Sequence, residues 1–285
     1  MEDKTVIEIK NLTMQRTQKT LLDDANLSIQ EGDIVFLIGI NGCGKSTLLS
    51  LFRKVRKVKK RAAKKDKSSD TPVFDGQFIV SCGGQSHNIA AGGFELSENS
   101  EFYYRHIAYL DQTDLCEGWA PIKRTISAPT EGAIDELYKR KKKDKEKGDL
   151  LACLEKTVED CIKKFTENSV VNMHRKRAKD LSGGQKRFIS FCRTYVMAKV
   201  LGSSILVLDE PLNHLACEYK KLVDQMLYEL VEQRRNEGNP LTLIIVSHCL
   251  PFRIIDDPRC RQVSFRNGKL EEGAKKERQH CLDDV

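Results

Sequence analysis

A glycine-rich segment in the first fifth of the chain carries residues that suit phosphate chemistry. It reads Gly-Ile-Asn-Gly-Cys-Gly-Lys-Ser from Gly39 to Ser46. Glycines let backbone N–H groups turn inward around phosphate oxygens, Lys45 adds a positive charge, and the Ser46 hydroxyl is a ligand for Mg²⁺. This spacing predicts a phosphate loop. The residues predicted to contact a nucleotide here are Gly39, Asn41, Gly42, Cys43, Gly44, Lys45, Ser46 and Thr47.

Two adjacent carboxylates follow an apolar run much later in the chain. The run from Ile205 to Leu208 leads directly into Asp209 and Glu210. Ligands of open α/β sheets bind at the edge where buried strands end, so both carboxylates are expected beside the phosphate loop. Asp209 is predicted to hold Mg²⁺ there, and Glu210 is predicted to polarise a water molecule as general base.

The elements that must position these residues alternate between strands and helices. Asp33 to Gly39 holds a short apolar run typical of a buried strand, and apolar residues after Lys45 recur at helical spacing as far as Val55. This is the strand, loop and helix context that a phosphate loop requires. Further strands are predicted at 5–10, 27–30, 73–80, 106–110, 204–208 and 241–246, and helices at 131–178, 184–200 and 218–235. Such alternation predicts a largely parallel sheet.

A third motif, Leu-Ser-Gly-Gly-Gln, lies between the other two at Leu181 to Gln185. With these three motifs in this order, the chain from Val6 to Gly273 resembles the ATP-binding cassette (ABC) family. The resemblance implies an α/β fold of the P-loop NTPase class, with a mostly parallel sheet, an N-terminal antiparallel β subdomain and an α-helical insertion. It also implies that the chain binds ATP with Mg²⁺ and hydrolyses ATP to ADP and phosphate.

The resemblance assigns roles to single residues as well. In the family, the signature pentapeptide opens a helix whose N-terminus meets the γ-phosphate held by a second protomer, which implicates Ser182, Gly183, Gly184 and Gln185. Gln112 resembles the glutamine of the Q-loop, and His248 resembles the switch histidine that hydrogen-bonds γ-phosphate. The implied catalytic residues are Glu210, His248 and Gln112, and the implied Mg²⁺ ligands are Ser46, Gln112 and Asp209.

Two positions depart from the family's pattern. Members commonly place an aromatic side chain upstream of the phosphate loop to stack on adenine, whereas the segment from Met14 to Thr20 has none. Met14 and Arg16 are the alternatives for lying over the base, through dispersion or a cation–π contact. The D-loop that follows Glu210 usually ends in Asp, and Ala216 stands there in this chain. This predicts a weaker contact between protomers and leaves the catalytic residues intact.

Length and charge limit how the chain can be organised. Its 285 residues suffice for one α/β domain, and motifs spread from 39 to 248 predict a single cassette domain over 1–285. The net charge of +7 comes from Arg53 to Lys67, which has ten basic residues and one acid. This run suits a solvated surface, RNA phosphates or anionic lipid head groups. The predicted subdivisions are a basic insertion at 53–70, a helical subdomain at about 113–182 and a C-terminal tail at 274–285.

Two functions stay open at this stage. One is the ATP-binding subunit of a membrane transporter whose transmembrane permease is a separate chain, which the single cassette favours. The other is a soluble ATPase that acts on the ribosome or another RNA complex, because Glu210 to Leu215 and Gly184 to Arg187 resemble the ABC-F branch. In either case the expected partner is a second ABC domain, in a homodimer or a heterodimer.

The chain is expected in the cytoplasm, either free or peripheral at the inner face of the cell membrane. Its apolar stretches are far shorter than the roughly 18 residues of a spanning helix. Its first residues, Met1 to Lys4, lack the apolar core of a secretory signal.

Overall fold

The computed structural model describes residues 4–17, 19–55, 72–90, 94–112, 118–139, 144–167, 176–247 and 253–273. Its strands are β1 (Thr5–Arg16), β2 (Lys19–Gln30), β3 (Ile34–Ile38), β4 (Lys54–Val55), β5 (Val73–Cys82), β6 (Gln85–Asn88), β7 (Phe94–Glu95), β8 (Ile107–Leu110), β9 (Ile205–Asp209), β10 (Thr242–Val246), β11 (Cys260–Arg266) and β12 (Lys269–Gly273). Its α-helices are α1 (Lys45–Leu49), α2 (Leu96–His106), α3 (Ile122–Tyr138), α4 (Asp144–Glu167), α5 (Gly183–Leu201) and α6 (Cys217–Asn236).

A six-stranded sheet forms the centre of the molecule, in the order β12-β11-β3-β10-β9-β8. All its neighbouring strands pair in parallel except β12, which pairs antiparallel with β11 at one edge. Ile34 and Phe36 of β3 pack in one core with α3 to α6, whereas Val35 and Leu37 pack in a second core with α1 and the N-terminal strands. Burial on both faces explains why this strand is a continuous apolar run.

The N-terminal strands form a four-stranded antiparallel sheet in the order β2-β1-β5-β6. β1 and β2 make a long hairpin in which Arg16 pairs with Lys19 across the turn. Where β1 and β5 shift register, Gly76 has a φ of +106°, and a Cβ there would lie 2.3 Å from the Asn11 carbonyl oxygen. Glycine therefore permits the close approach of the two strands at this point.

The predicted fold class is confirmed, because the sheet core, the antiparallel sheet and the helical part are all present. The prediction of a helix from Lys45 to Val55 is wrong. α1 ends at Leu49, a 3₁₀ turn follows over Ser50–Phe52, and Arg53 then takes an extended conformation. The chain next pairs with β7 as β4, so Val55 belongs to a strand.

The helical insertion comes between β8 and β9 in the chain. α3 and α4 lie within the predicted helical subdomain, and α2, which the sequence did not predict, buries Phe102 and Tyr103 ahead of β8. Most of the basic insertion and all of the tail at 274–285 lie outside the described residues. The subdivision of the chain into these parts stays a prediction.

Candidate nucleotide-binding site

Four parallel strands end side by side and bring the predicted site residues to one edge of the sheet. Val246 of β10 pairs with both Leu37 of β3 and Asp209 of β9, and Leu110 of β8 pairs with Leu208 of β9. The chain therefore leaves all four strands at nearly the same level. The residues that follow are the phosphate loop after β3, Gln112 after β8, Glu210 after β9 and Ser247 after β10.

The phosphate loop is a tight turn whose conformation needs glycine. Gly42 and Gly44 have φ values of +76° and +116°, in the region that side chains disfavour. A Cβ at Gly44 would also lie 2.8 Å from the Cε of Met14. Lys45 is only 6% exposed, and its Nζ donates to the Gly39 carbonyl oxygen at 2.7 Å. The loop thus folds around the lysine ammonium group.

Ser46 and Asp209 present oxygen atoms that fit a magnesium ion. The Ser46 Oγ donates to the Asp209 Oδ1 at 3.2 Å, whereas the Asp209 Oδ2 is buried with no hydrogen-bond partner among the described residues. A cation would satisfy this oxygen, since carboxylate and hydroxyl groups are ligands for hard divalent ions. Burial raises the pKa of Asp209 to about 6; the hydrogen bond from Ser46 opposes the shift, and the charge of Glu210 adds to it.

Glu210 is held in an uncommon backbone conformation next to Asp209. Its φ is +52°, which a residue other than glycine adopts only where the surroundings impose it. The Glu210 N–H donates to the Val246 carbonyl oxygen at 2.9 Å. The Glu210 Oε2 accepts from the Gln112 Nε2 at 3.4 Å and from the Asn213 Nδ2. The structure therefore brings Gln112 and Glu210 together from distant parts of the sequence.

The phosphate loop, Gln112 and Glu210 face one cavity with a volume of about 650 Å³, within the usual range for ligand pockets. Asp209 is fully buried and does not line this cavity. Of the predicted residues, Asn41, Gly42, Gly44 to Thr47, Gln112 and Glu210 line it, whereas Gly39 and Cys43 belong to the loop without lining the cavity. Four lining residues were not predicted, and these are Thr17, Lys19, Leu21 and Asn213.

The two residues considered for the base lie in different surroundings. Met14 is fully buried in the core behind Gly44, so it does not reach the cavity. The proposal that Met14 lies over the base is therefore wrong, because its side chain faces inward from β1. Arg16, two residues further on, is exposed and lines the cavity.

The signature pentapeptide forms the start of α5 and does not line this cavity. Ser182 is the N-cap: its Oγ accepts from the Gln185 N–H at 3.3 Å, while the Gln185 Oε1 accepts from the Ser182 N–H at 3.1 Å. Ser182 and Gly183 are exposed. A Cβ at Gly184 would lie 2.5 Å from the His214 carbonyl oxygen, so glycine lets the helix start approach the D-loop backbone.

Arg187, in the first turns of α5, joins the signature helix to the chain segments that follow β8 and end β9. It is 2% exposed, and its Nη1 donates to the carbonyl oxygens of Asp111 at 2.7 Å and Gln112 at 3.3 Å. Its Nη2 donates to the carbonyl oxygens of Asp209 at 2.5 Å and Glu210 at 2.9 Å. No motif predicted this role; the only sequence signal is a basic residue beside the apolar part of a helix.

Two further predicted features have different outcomes, and one large aromatic side chain is exposed. His248 lies outside the described residues, although Ser247 before it is buried at the same sheet edge. Of the basic insertion, only its first residues are described, and there the Arg53 Nη2 donates to the Asp111 Oδ1 at 2.6 Å. Trp119 is 73% exposed, and the Lys179 Nζ lies 4.1 Å from the centre of its ring.

A glycine-rich loop between a buried strand and a helix, with Asp209 at the end of a parallel strand of the same sheet, defines a P-loop NTPase. A model of the family described as "ABC transporter" matches residues 22–213. The chain therefore belongs to the ATP-binding cassette family.

Comparisons with known proteins connect the chain to two kinds of relative. It is 28% identical to ABC transporter F family member 2 of Arabidopsis thaliana over 95% of this chain and 30% of the relative. It is 28% identical to the lipoprotein-releasing system ATP-binding protein LolD of Buchnera aphidicola over 88% of this chain and 91% of the relative. The chain thus spans less than a third of the F family members that it matches and most of LolD.

Solved structures share the fold. A dimeric bacterial ABC transporter cassette matches with a TM-score of 0.61 at 17% identity, covering 95% of this chain and 99% of the other. An ATP-binding subunit of an ABC transporter matches with a TM-score of 0.60 at 18% identity, covering 95% and 90%. Within the described residues, no helix is long and apolar enough to cross a membrane.

Proposed function

We propose that this chain hydrolyses ATP at a composite site, in which its phosphate loop and the signature helix of a second ABC domain enclose one nucleotide. The observation that carries the proposal is the meeting of three groups at one sheet edge. They are the phosphate loop, the buried Ser46–Asp209 pair with an unsatisfied carboxylate oxygen, and Glu210 at the same cavity. Together they supply an anchor, cation ligands and a base.

Each residue has a defined task in this proposal. The loop N–H groups and Lys45 hold the β- and γ-phosphates, while Ser46 and Asp209 would ligate Mg²⁺, with Gln112 as a further ligand. The bound Mg²⁺ would neutralise charge on the phosphate oxygens. Glu210 accepts a proton from the attacking water, since its carboxylate lies at the cavity and the amides of Gln112 and Asn213 orient it. His248 would hydrogen-bond the γ-phosphate.

The base assignment is tested by Glu210→Gln. The amide keeps the shape of the side chain but accepts no proton, so ATP hydrolysis should fall by about 100-fold or more while ATP binding persists. The readouts are phosphate release and the mass of the ATP-bound species by size exclusion with light scattering. We expect the variant to accumulate as an ATP-dependent dimer.

A matched control is Glu218→Gln, because Glu218 is exposed in the first turn of α6. It should hydrolyse ATP at the unmutated rate. Hydrolysis by Glu210→Gln at that same rate would show that another group is the base.

For the biological setting, we infer that the chain is the ATP-binding subunit of a transporter and works at the inner face of a membrane with a separate permease. The coverage of LolD supports this, as does the 25% identity to the petrobactin import ATP-binding protein YclP of Bacillus subtilis over 85% of that relative. The exposed Trp119 offers a surface for such a partner.

The alternative is an ABC-F-like factor on the ribosome, which the 28% identity to the Arabidopsis F family members over 95% and 99% of this chain favours. Tagged Glu210→Gln protein in its native cells separates the two functions. Recovery in the membrane fraction with a multi-spanning protein, lost in Lys45→Ala, would support the transporter. Sedimentation with ribosomes, also dependent on Lys45, would overturn the transporter and support the ABC-F function.

A further inference from the structure

The chain segment that carries Gln112 is tied to the phosphate-loop helix by an ion pair. The Arg53 Nη2 donates to the Asp111 Oδ1 at 2.6 Å, and Asp111 directly precedes Gln112. Arg53 follows the 3₁₀ turn that continues α1, so the pair joins the element that starts at Lys45 to the end of β8. The basic character of the run that Arg53 opens does not by itself predict this contact.

The core holds the backbone at Arg53 in place. Phe52 is fully buried, and its ring lies edge-on to that of Phe78 with ring centres 5.4 Å apart. The Arg53 N–H donates to the Ser50 carbonyl oxygen at 3.0 Å, and its guanidinium carbon lies 6.0 Å from the centre of the Tyr109 ring. The guanidinium therefore reaches the end of β8 from a fixed backbone position.

Two arginines hold the segment of Asp111 and Gln112. Arg187 donates to the backbone carbonyl oxygens of both residues, whereas Arg53 binds the side chain of Asp111. The contact between the Gln112 Nε2 and the Glu210 Oε2 is long at 3.4 Å, so it fixes the amide only weakly. The position of the Gln112 side chain therefore depends on how its segment is anchored.

An alternative role for the pair is charge balance. The raised pKa of Asp209 comes mainly from burial, and the charge of Asp111 is one of the smaller contributions to it. Arg53 offsets that charge. If this were its only role, loss of Arg53 would leave more negative charge near Asp209 and would strengthen Mg²⁺ binding. Neither Arg53 nor Asp111 lines the nucleotide cavity, so in either role the pair acts through other residues.

We propose that Arg53 is a positioning residue for ATP hydrolysis, because its ion pair with Asp111 sets the place of the Gln112 side chain at the nucleotide cavity. This inference rests on the proposed function, in which Gln112 is a further ligand of Mg²⁺. Groups that orient a metal ligand from behind change metal affinity or activity by about 10- to 100-fold when they are removed. The pair contributes little to folding, since ion pairs this exposed are weak.

Arg53→Ala tests the proposal through the Mg²⁺ dependence of hydrolysis and of ATP binding. The Mg²⁺ concentration for half-maximal hydrolysis should rise by about 10-fold, and kcat at saturating Mg²⁺ should fall by about 10-fold. The Kd for ATP in EDTA should stay unchanged, because the phosphate loop is intact, whereas Mg²⁺ should tighten that Kd less than in the unmutated protein. Phosphate release and titration with a fluorescent ATP analogue give these quantities.

Matched variants separate positioning from other effects. Asp111→Ala removes the same pair from its other side, so the double variant Arg53→Ala/Asp111→Ala should lose no more than either single variant. Arg53→Lys keeps a positively charged donor and should recover most of the hydrolysis. Arg105→Ala removes a similarly exposed arginine from its ion pair with Glu101 on α2 and should change none of these quantities. Similar thermal midpoints for all variants would show that the fold is intact.

Three results would overturn the inference. Unchanged hydrolysis and Mg²⁺ dependence in Arg53→Ala would show that the pair does not act on Gln112. A lower Mg²⁺ requirement would show that the pair only balances charge. Losses that multiply in the double variant would show that Arg53 and Asp111 act separately. If the unmutated protein binds ATP without hydrolysing it, the proposed function fails, while the Mg²⁺ dependence of ATP binding still tests the role of Arg53.

Discussion

At the scale of single residues, the buried carboxylate of Asp209 lowers the stability of the folded protein. The carboxylate is fully buried, and its Oδ2 has no hydrogen-bond partner among the described residues. Its pKa rises from 3.8 to about 6, mainly because burial disfavours the charged form. Below 3.8 both folded and unfolded chains hold the proton. As pH rises from 3.8 to about 6, the unfolded chain loses its proton first, so the folded state becomes less stable.

Asp209→Asn should therefore stabilise the nucleotide-free protein at pH 7.5. The amide carries no charge, and a shift of this size corresponds to a gain of up to about 3 kcal/mol. The gain should shrink as pH falls below 6, and Mg²⁺·ATP should stabilise the variant less than the unmutated protein. Urea unfolding at pH 5 and pH 7.5, with and without Mg²⁺·ATP, measures both effects.

The exposed Asp149→Asn on α4 is the control for that experiment and should show no such pH dependence. An equal stability difference between Asp209→Asn and the unmutated protein at both pH values would contradict the account of Asp209.

At the scale of elements, Arg187 ties α5 to the ends of β8 and β9. Its hydrogen bonds to backbone carbonyls hold the segment of Asp111 and Gln112 and the segment of Asp209 and Glu210 at fixed positions relative to the signature helix. A movement of that helix would therefore reach both segments through this side chain. Arg187 is a positioning residue, since it bonds the backbone of the catalytic segments and does not line the cavity.

Arg187→Lys should lower kcat by about 10-fold or more with little change in the Kd for ATP, because misplaced catalytic groups slow the reaction while the phosphate loop is untouched. Steady-state hydrolysis and equilibrium titration give the two quantities. Arg177→Lys, an exposed exchange just before the signature, should alter neither. A Kd that weakens in parallel with kcat would indicate general loss of structure.

The two long helices that flank the D-loop begin differently. Ser182 caps α5 with its side chain, whereas Ala216 occupies the N-cap of α6 and makes no side-chain bond there. Ala216→Ser should therefore raise the free energy of unfolding by about 1 kcal/mol, and Ser182→Ala should lower it by a similar amount. Chemical denaturation of both variants measures the two changes in the free energy of unfolding. If Ala216→Ser destabilises the protein, the D-loop constrains this position.

At the scale of the whole molecule, the phosphate loop and the signature pentapeptide lie at separate places. The phosphate loop lines the cavity, whereas the signature begins a helix outside that cavity. This separation motivates the proposal that two chains complete each other's sites.

Mixing two inactive variants tests this assembly. Lys45→Ala removes the phosphate anchor and Gly183→Asp places a negative charge at the signature, so each should be inactive alone. A mixed dimer contains one site with both parts intact and should recover hydrolysis in a concentration-dependent way. Titration of one variant into the other, followed by phosphate release, gives the result. Activity of either variant alone, or no recovery on mixing, would argue against a shared site.

The sequence predicted what depends on local spacing. Gly42, Gly44 and Lys45 identify a phosphate loop because the conformation of the loop is encoded within it, and the apolar run before Asp209 identifies a buried strand. The helix after Lys45 was predicted too long, because pairing of β4 with β7 overrides its helical pattern. The contacts of Arg187 were not predicted, because its carbonyl partners belong to other elements.

Motif order and hydrophobic periodicity were enough to predict the fold class and the family, and they indicated which groups lie at the phosphate loop and the sheet edge. The tertiary structure alone decided that Met14 is buried while Arg16 faces the cavity, and that Gln112 and Glu210 meet. Both outcomes depend on which face of a strand lies against the core and on which strands are neighbours. Such relations join residues far apart in the chain, and no local pattern specifies them.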